Sequence, residues 1–210
     1  EIAKDNINAM SSIEGNQFEE QNEISGLDSA LGRADKHYRD GDIHAAIEEI
    51  ENTLNCAESN SALYATLGSL EFQSGQIDKA VEHLRKAVEM DGDCADFLTR
   101  LALAEYKTGN TTEFLENLDL ALKHDPTYVP ALKTRGDFNL GASKYKPAAT
   151  DYISIIKIEP ENTEAILALG VCFYKTNDLD AAVTTYERVL TIDPDNSLAK
   201  ENLAAIQKTA

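Results

Sequence analysis

Residues 163–196, TEAILALGVCFYKTNDLDAAVTTYERVLTIDPDN, decide the fold of this chain, because their pattern recurs along the sequence. The first half of the stretch has apolar residues at the spacing of 3 and 4 that an amphipathic helix requires, namely Ile166, Leu169 and Phe173. Asn177-Asp178 interrupts this pattern, and a second helix is predicted to end at Asp193-Pro194, since proline disfavours helix in the residue before it. The stretch therefore predicts a helix–turn–helix unit.

The same positions recur at intervals of 34 residues. The turn position is occupied by Gly41, Gly75 and Gly109, a mostly aromatic position by Tyr38, Phe72, Tyr106, Leu140 and Tyr174, and the end of the unit by Pro126, Pro160 and Pro194. Such a period indicates a stacked array in which each unit covers the apolar face of its neighbour. Arrays of this kind usually bind other chains and rarely catalyse reactions.

The period divides the chain into five repeats and two flanking segments. The predicted repeats cover 27–60, 61–94, 95–128, 129–162 and 163–196. Residues 197–210 are predicted to form a C-terminal capping helix, with Leu198, Leu203 and Ile206 facing the fifth repeat. Residues 1–26 do not follow the period, and their sparse apolar residues predict an acidic arm that is disordered or weakly helical.

Charge and hydropathy exclude several classes of function. The chain has 37 Asp and Glu against 19 Lys and Arg, and its formal charge of -18 repels nucleic acid and anionic lipid. No run of about 18 apolar residues is present, so no membrane insertion is expected. No signal peptide is visible, and three distant cysteines without a CxxC pair fit a reducing compartment. We therefore expect a cytoplasmic location.

The recurring pattern resembles the tetratricopeptide repeat (TPR) family, whose unit has 34 residues and characteristic small and apolar positions. In the fifth repeat these positions hold Ile166, Leu169, Gly170, Phe173, Ala182, Tyr186, Val189 and Pro194. The resemblance covers residues 27–210. It implies an all-α fold, a right-handed α-solenoid of stacked antiparallel helix hairpins.

In this family the first helix of each repeat lines a concave groove, so the resemblance also implies a peptide-binding surface. Its predicted residues are Leu31, Asp35, Tyr38, Thr66, Ser69, Phe72, Arg100, Leu103, Tyr106, Lys133, Asp137, Leu167, Val171 and Tyr174. Further residues of these helix faces are Ala65, Thr99, Thr134, Leu140 and Ala168. Apolar and aromatic residues with scattered polar anchors suit a peptide or a partner helix. The alternative interpretation is that the aromatic residues are half-buried spacers.

No motif in the sequence predicts catalysis. A nucleophile elbow, a Walker loop, a dinucleotide fingerprint and an HExxH pair are all missing from the sequence. Histidines occupy four different repeat positions, at His37, His44, His83 and His124, and this scatter does not predict a metal site. We therefore predict a chain that is not an enzyme and has no cofactor and no metal.

The resemblance allows one type of partner to be tested residue by residue. TPR co-chaperones hold the C-terminal tail of Hsp70/Hsp90 in a carboxylate clamp of Lys, Asn and Arg. The corresponding residues here are Leu31, Asp35, Thr66, Asp96 and Arg100. Only Arg100 matches, and the two aspartates would repel a carboxylate. The partner is therefore predicted to be a protein or peptide that is not held by this clamp.

The fourth repeat departs most from the pattern, because Arg135 stands at a normally apolar position. A charge at a buried place needs a partner, and the candidates are Asp137, Glu105 and Asp151. Together with Lys133, Lys144 and Lys146, this arginine forms a basic region in an acidic array. Two interpretations are open: a docking site for an acidic segment, which could be the arm 1–26 itself, or simple decay of the repeat.

The sequence as a whole predicts a protein-interaction scaffold that binds a peptide or helix in its concave groove. Two alternatives remain open. The chain could be the TPR interaction region of a larger multidomain enzyme, such as a bacterial-type glycosyltransferase, or a scaffold that self-associates through the same groove.

Overall fold

The computed structural model of this protein describes residues 29–56 and 60–208, and within those ranges it contains helices and turns but no strand. The described part of the first helix, α1, covers 29–39. The helices that follow are α2 (Ile43–Cys56), α3 (Ser61–Gln73), α4 (Ile77–Met90), α5 (Ala95–Lys107), α6 (Thr111–His124), α7 (Val129–Gly141), α8 (Tyr145–Ile158), α9 (Thr163–Lys175), α10 (Leu179–Ile192) and α11 (Ser197–Gln207). The predicted all-α class is confirmed, whereas the predicted arm 1–26 lies outside the described residues.

The chain divides into two compact units, Glu1–Gly92 (unit 1) and Asp93–Ala210 (unit 2). Unit 1 contains the antiparallel hairpins α1–α2 and α3–α4. Unit 2 contains the hairpins α5–α6, α7–α8 and α9–α10, followed by α11. The repeat boundaries drawn from the sequence stay a prediction.

The turn inside each hairpin has a residue with a left-handed backbone conformation at the same position. The φ angles of Gly41, Gly75 and Gly109 are 83°, 83° and 87°. Ser143 and Asn177 occupy the same place in the last two hairpins, with φ angles of 59° and 62°. Glycine adopts this conformation without steric cost, and asparagine tolerates it better than most residues do. The turn geometry is therefore kept even where the glycine is lost.

Small residues let the two helices of a hairpin approach each other closely. A Cβ atom built on Gly68 would lie 2.7 Å from Leu84 Cγ, and one built on Gly170 would lie 2.5 Å from Tyr186 Cε1. Either contact is too short for a real side chain. The glycines on α3 and α9 are therefore required by packing, and Tyr186, which faces Gly170, is only 1% exposed.

Helix α11 covers the end of the α9–α10 core, although one of its predicted contacts is wrong. Ala199 and Ile206 are buried and Leu203 is partly buried against the same core, but Leu198 is 58% exposed. Residues 199, 203 and 206 have the spacing of 4 and 3 that places them on one helix face. Leu198 lies about 100° away from that stripe, because an α-helix has about 3.6 residues per turn.

Among the residues that the structure describes, no helix is long and apolar enough to span a lipid bilayer.

Candidate peptide-binding surface

In unit 1, the predicted groove residues lie on α1 and α3 and are only partly available. Leu31 packs against the core formed by α1, α2 and α3, whereas Tyr38 is 43% exposed. The hydroxyl groups of Thr66 and Ser69 donate to carbonyl oxygens one turn earlier in α3, at 2.8 and 2.7 Å. Asp35 accepts an ion-paired hydrogen bond from Arg39. The large exposed apolar group of this set in unit 1 is therefore the ring of Tyr38.

In unit 2, predicted residues of α5 and α7 come together around a cleft of about 310 Å³. Its lining residues are Leu103, Tyr106, Phe114, Thr134, Asp137 and Phe138, and we call it the aromatic cleft. Leu103 is 38% exposed and Tyr106 is 48% exposed. Both side chains offer apolar surface to solvent beside a concave site, which is how ligand-binding clefts are usually built.

Three aromatic rings form the base of the aromatic cleft. The centroid of the Phe114 ring lies 5.0 Å from that of Tyr106 and 5.0 Å from that of Phe138. Phe114 and Phe138 meet edge to face, as do Tyr106 and Phe138 at 5.9 Å. Aromatic pairs in such arrangements contribute about 0.5–1.5 kcal/mol beyond the burial of their area. The base of the cleft is therefore preformed.

Phe114 and Phe138 were missed by the sequence prediction, and only Phe114 left a signal there. Phe114 is 1% exposed and lies on α6, the second helix of its hairpin, while the prediction considered first helices only. The other hairpins have alanine at its position, namely Ala46, Ala80, Ala148 and Ala182. Here a bulky ring stands at a position that is small in the other hairpins, and it packs against the exposed ring of Tyr106.

The polar edge of the aromatic cleft is fixed by Asp137. Its Oδ1 accepts a hydrogen bond from the Tyr152 hydroxyl at 2.7 Å, and its Oδ2 accepts one from Lys133 Nζ at 2.8 Å. Lys133 Nζ also lies 2.9 Å from Glu164 Oε1 on α9. The carboxylates of Asp137 and Glu164 together raise the pKa of Lys133. This lysine is therefore held by two acids and remains charged.

On α9, the predicted surface continues with Leu167, Val171 and Tyr174. Leu167 and Val171 are half-buried, and Tyr174 is 36% exposed. Lys175 Nζ lies 5.9 Å from the centroid of the Tyr174 ring, within the range of a cation–π interaction. On α5, Arg100 pairs with Asp96 at 2.7 Å. The first helices of unit 2 thus present apolar groups between ion pairs.

Arg135 lies beside α6 and α8, where two carboxylates hold it. Its Nε and Nη2 donate to Asp151 at 3.1 and 2.6 Å, and its Nη1 donates to Asp119 at 2.6 Å. Asp151 was one of the three partners proposed from the sequence, and Asp119 was not considered. Because Lys133 and Arg135 each already bind two acids, they have little charge left with which to attract an acidic segment.

The described residues show no catalytic or metal-binding arrangement. No group of three His, Cys, Asp or Glu side chains in the described part of the chain could hold a metal ion. Cys172 is 1% exposed, and burial raises the pKa of its thiol to about 11. A thiol in this environment stays protonated and is a poor nucleophile.

Comparison with known proteins identifies the family. Two family models, both described as tetratricopeptide repeat, match residues 65–129 and 139–206. The chain belongs to the TPR family, and this fold serves in general as a scaffold for protein interactions. Among curated relatives, the BBSome complex member BBS4 of Bos taurus is 28% identical over 171 residues, which cover 78% of this chain and 31% of that protein. The chain spans less than a third of the length of the curated relatives it matches.

Solved structures show the same fold. The crystal structure of MamA protein superimposes with a TM-score of 0.68 at 21% identity, covering 80% of this chain and 92% of that one. YrrB, described as a TPR protein with an unusual peptide-binding site, gives a TM-score of 0.64 at 16% identity, covering 82% of this chain and 89% of that one. Identities this low show the fold alone.

Proposed function

We propose that this chain is a non-catalytic scaffold whose aromatic cleft in unit 2 binds a peptide or helix through a bulky apolar side chain. The observation behind this proposal is the pair of exposed apolar groups, Leu103 and Tyr106, above the buried ring of Phe114. Isolated surface leucines are ordinary, but apolar side chains grouped around a concave site are typical of a binding surface. A preformed aromatic base lowers the entropy lost on binding.

The polar edge supports recognition of an extended backbone or a helix end beside this anchor. Asp137 has a half-exposed side chain, and each of its oxygens keeps lone pairs beyond the bonds from Tyr152 and Lys133. A backbone or side-chain N–H of a partner can donate to it. The ion pairs of Arg100 and Lys133 leave no cluster of free cations of the kind that a carboxylate clamp uses, so a C-terminal carboxylate is not the proposed ligand.

A selection from displayed random peptides tests this proposal. Peptides are selected on the full chain, and their affinities are measured by fluorescence anisotropy. Changing Leu103 and Tyr106 to serine gives a variant that we call the cleft variant. It should weaken binding of the selected peptides at least about tenfold, or about 1.4 kcal/mol. The helical circular dichroism of this variant should match that of the parent.

The matched control is a variant of unit 2 with Ile158→Ser and Ile192→Ser. These residues are 40% and 36% exposed, close to the exposures of Leu103 and Tyr106, but they lie at the ends of α8 and α10. The control should bind the selected peptides as the parent does. The proposal fails if the control loses binding while the cleft variant keeps it, because the binding surface would then be formed by the second helices.

Two other functions stay as alternative proposals, namely a role as the interaction region of a larger protein and self-association. A role as the interaction region of a larger protein is compatible with the length of the curated relatives, of which BBS4 is covered over 31%. Self-association would use the same exposed groups, and sedimentation of the parent and the cleft variant separates it from peptide binding. A parent that sediments as a dimer, together with a monomeric cleft variant, would favour self-association.

A further inference from the structure

Unit 1 contains a buried carboxylate that the proposed function does not use. Glu71 lies on α3 and is 0% exposed, and its Oε1 has no hydrogen-bond partner among the described residues. Its Oε2 lies 2.7 Å from Nδ1 of His83 on α4. Leaving a buried polar atom unsatisfied lowers the stability of the fold, and it does so more strongly if the group is charged. The buried side chain of Glu71 therefore stabilises the α3–α4 hairpin only if the charge of its carboxyl group is neutralised.

The surroundings of the pair hold His83 in place. The ring of Tyr64 on α3 stacks on the imidazole with a centroid distance of 6.0 Å and an interplanar angle of 22°. Lys86 Nζ lies 5.7 Å from the centroid of the Tyr64 ring and pairs with Glu82 at 2.8 Å. The stack and the hydrogen bond together place the imidazole beside the carboxyl group of Glu71.

One proton decides the charge of this pair. With that proton, either the imidazolium donates to the carboxylate or the carboxylic acid donates to the neutral imidazole, and the pair is neutral in both forms. Without it, a net negative charge remains on a side chain that solvent does not reach. Burial raises the pKa of Glu71 above that of an ordinary glutamate, an effect that His83 and Lys79 partly oppose and Glu51 on α2 adds to.

We propose that the Glu71–His83 pair makes the α3–α4 hairpin proton-sensitive, so that the hairpin is held firmly while the pair keeps its proton and loosens when the proton is lost. A group with a raised pKa in the folded state contributes stability that is fully present below its unfolded value of about 4.3. That stability is lost as the pH rises through the folded value. The hairpin should therefore weaken as the pH rises.

Unit 2 supplies a matched control at the same repeat position. Glu105 lies 34 residues after Glu71 and is 2% exposed, but Asn110 Nδ2 donates to its Oε2 at 2.6 Å. The residue in unit 1 that corresponds to Asn110 is Gln76, whose amide donates to Ser74 Oγ at 2.9 Å instead. The histidine and the unsatisfied oxygen therefore distinguish Glu71 from Glu105.

Hydrogen exchange of the full chain followed by mass spectrometry tests the proposal between about pH 5 and about pH 9, a range that includes the unperturbed histidine pKa. After correction for the intrinsic exchange rate, protection of α3 and α4 in the parent should fall as the pH rises and the pair loses its proton. In Glu71→Gln the side chain keeps its size and is neutral throughout, so this fall should disappear. Glu105→Gln should keep the fall in α3 and α4.

Two results would overturn the proposal. The first is a parent whose protection in this hairpin does not change with pH, and the second is a Glu71→Gln variant with the same pH dependence as the parent. If Glu71→Gln does not fold, the carboxyl carbon of Glu71 and the ring carbons of His83 can both be titrated in the parent by ¹³C NMR. A midpoint above the ordinary value of the group that carries the proton, about 4.3 for glutamate or about 6.5 for histidine, supports the proposal, and two midpoints at or below those values contradict it.

Discussion

Hairpins α7–α8 and α9–α10 of unit 2 share one packing plan and differ in the chemistry of their interiors. In each, a glycine of the first helix faces a tyrosine ring of the second. A Cβ atom on Gly136 would lie 3.2 Å from Tyr152 Cε1, and one on Gly170 would lie 2.5 Å from Tyr186 Cε1. Both tyrosines are buried, at 2% and 1% exposure. In both hairpins, the two helices therefore pack together through a tyrosine ring that lies on a glycine.

Three further positions are all polar in one hairpin, whereas two of them are apolar and one is a threonine in the other. The α7–α8 hairpin has Arg135, Asn139 and Asp151, whereas α9–α10 has Leu169, Phe173 and Thr185 at the corresponding positions. Asp151 is 2% exposed and Asn139 is 8% exposed, so the polar groups are inside the packing. The same backbone arrangement thus accepts an ion pair or an apolar contact, provided that each buried charge finds its partner.

Breaking the ion pair from one side should give the largest effect. Arg135→Leu leaves the Asp151 carboxylate buried without its cation, and we expect the free energy of unfolding to fall by about 3–5 kcal/mol. The measurement is urea unfolding followed by circular dichroism. A loss below about 1 kcal/mol, the usual value of an exposed pair, would show that solvent reaches Asp151.

The double variant Arg135→Leu, Asp151→Thr sharpens the comparison, because at these two positions it gives α7–α8 the residues of α9–α10. Buried ion pairs replaced by apolar residues of similar volume are often neutral or stabilising. We therefore expect the double variant to recover most of the stability lost in Arg135→Leu. If it stays as unstable as the single variant, the arginine side chain itself supports the packing.

Removal of the tyrosine rings should affect both hairpins about equally. Tyr186→Ala and Tyr152→Ala each leave a cavity over a glycine, and each should cost about 3–5 kcal/mol in the same unfolding experiment. Tyr152→Ala also removes a hydrogen bond to Asp137, so it should be the costlier of the two. A Tyr186→Ala variant that unfolds like the parent would contradict the assignment of this ring to the core.

Replacing each of the two glycines with alanine should affect the stability of the two hairpins differently. Gly170→Ala forces a contact with the Tyr186 ring and should destabilise by about 1–3 kcal/mol. In Gly136→Ala the contact with Tyr152 is looser, and the gain of about 1 kcal/mol from helix propensity offsets it. Gly170→Ala should therefore melt at a lower temperature than Gly136→Ala. Equal melting temperatures would contradict the expectation that the space for a methyl group differs between the two glycines.

The smallest effect concerns the tyrosine hydroxyl groups. Tyr152→Phe removes the hydrogen bond to Asp137 and should cost about 0.5–1.5 kcal/mol. Tyr186 has no hydrogen-bond acceptor among the described residues, and burial raises its pKa to about 12. Tyr186→Phe should therefore be nearly neutral. If Tyr186→Phe lost more stability than Tyr152→Phe, the stabilising hydroxyl hydrogen bond would lie in α9–α10 and not in α7–α8, which would contradict the prediction.

The 34-residue period was enough to predict the fold, because the positions that define it are local in sequence. The spacing of Gly41, Gly75 and Gly109 predicts turns, and the structure places all three in the left-handed region. The small residue at position 170 follows from the same period, whereas its contact with the ring of Tyr186 is seen only in the structure. Each of these features depends on two helices that are neighbours in the chain.

The aromatic cleft could be predicted only in part, because it depends on side-chain volumes across two hairpins. Leu103, Tyr106 and Asp137 belong to helix faces that the family resemblance identifies. Phe114 and Phe138 do not, since their role depends on contacts between rings of two hairpins. Asp119, the second partner of Arg135, lies on the preceding hairpin, and nothing in the repeat pattern marks it as a partner.

The position of Asp151 has a consequence for the order in which similar helices pair. Three repeats earlier in the chain, Arg33 and Glu49 occupy the positions of Arg135 and Asp151 and form the same pair, with Arg33 Nε donating to Glu49 at 2.9 Å. If α7 folded against α10 instead of α8, Arg135 would meet Thr185 and its charge would be left without an acid. In a chain of similar hairpins, such ion pairs disfavour the packing of a helix against the wrong partner, because that packing leaves a charge unpaired.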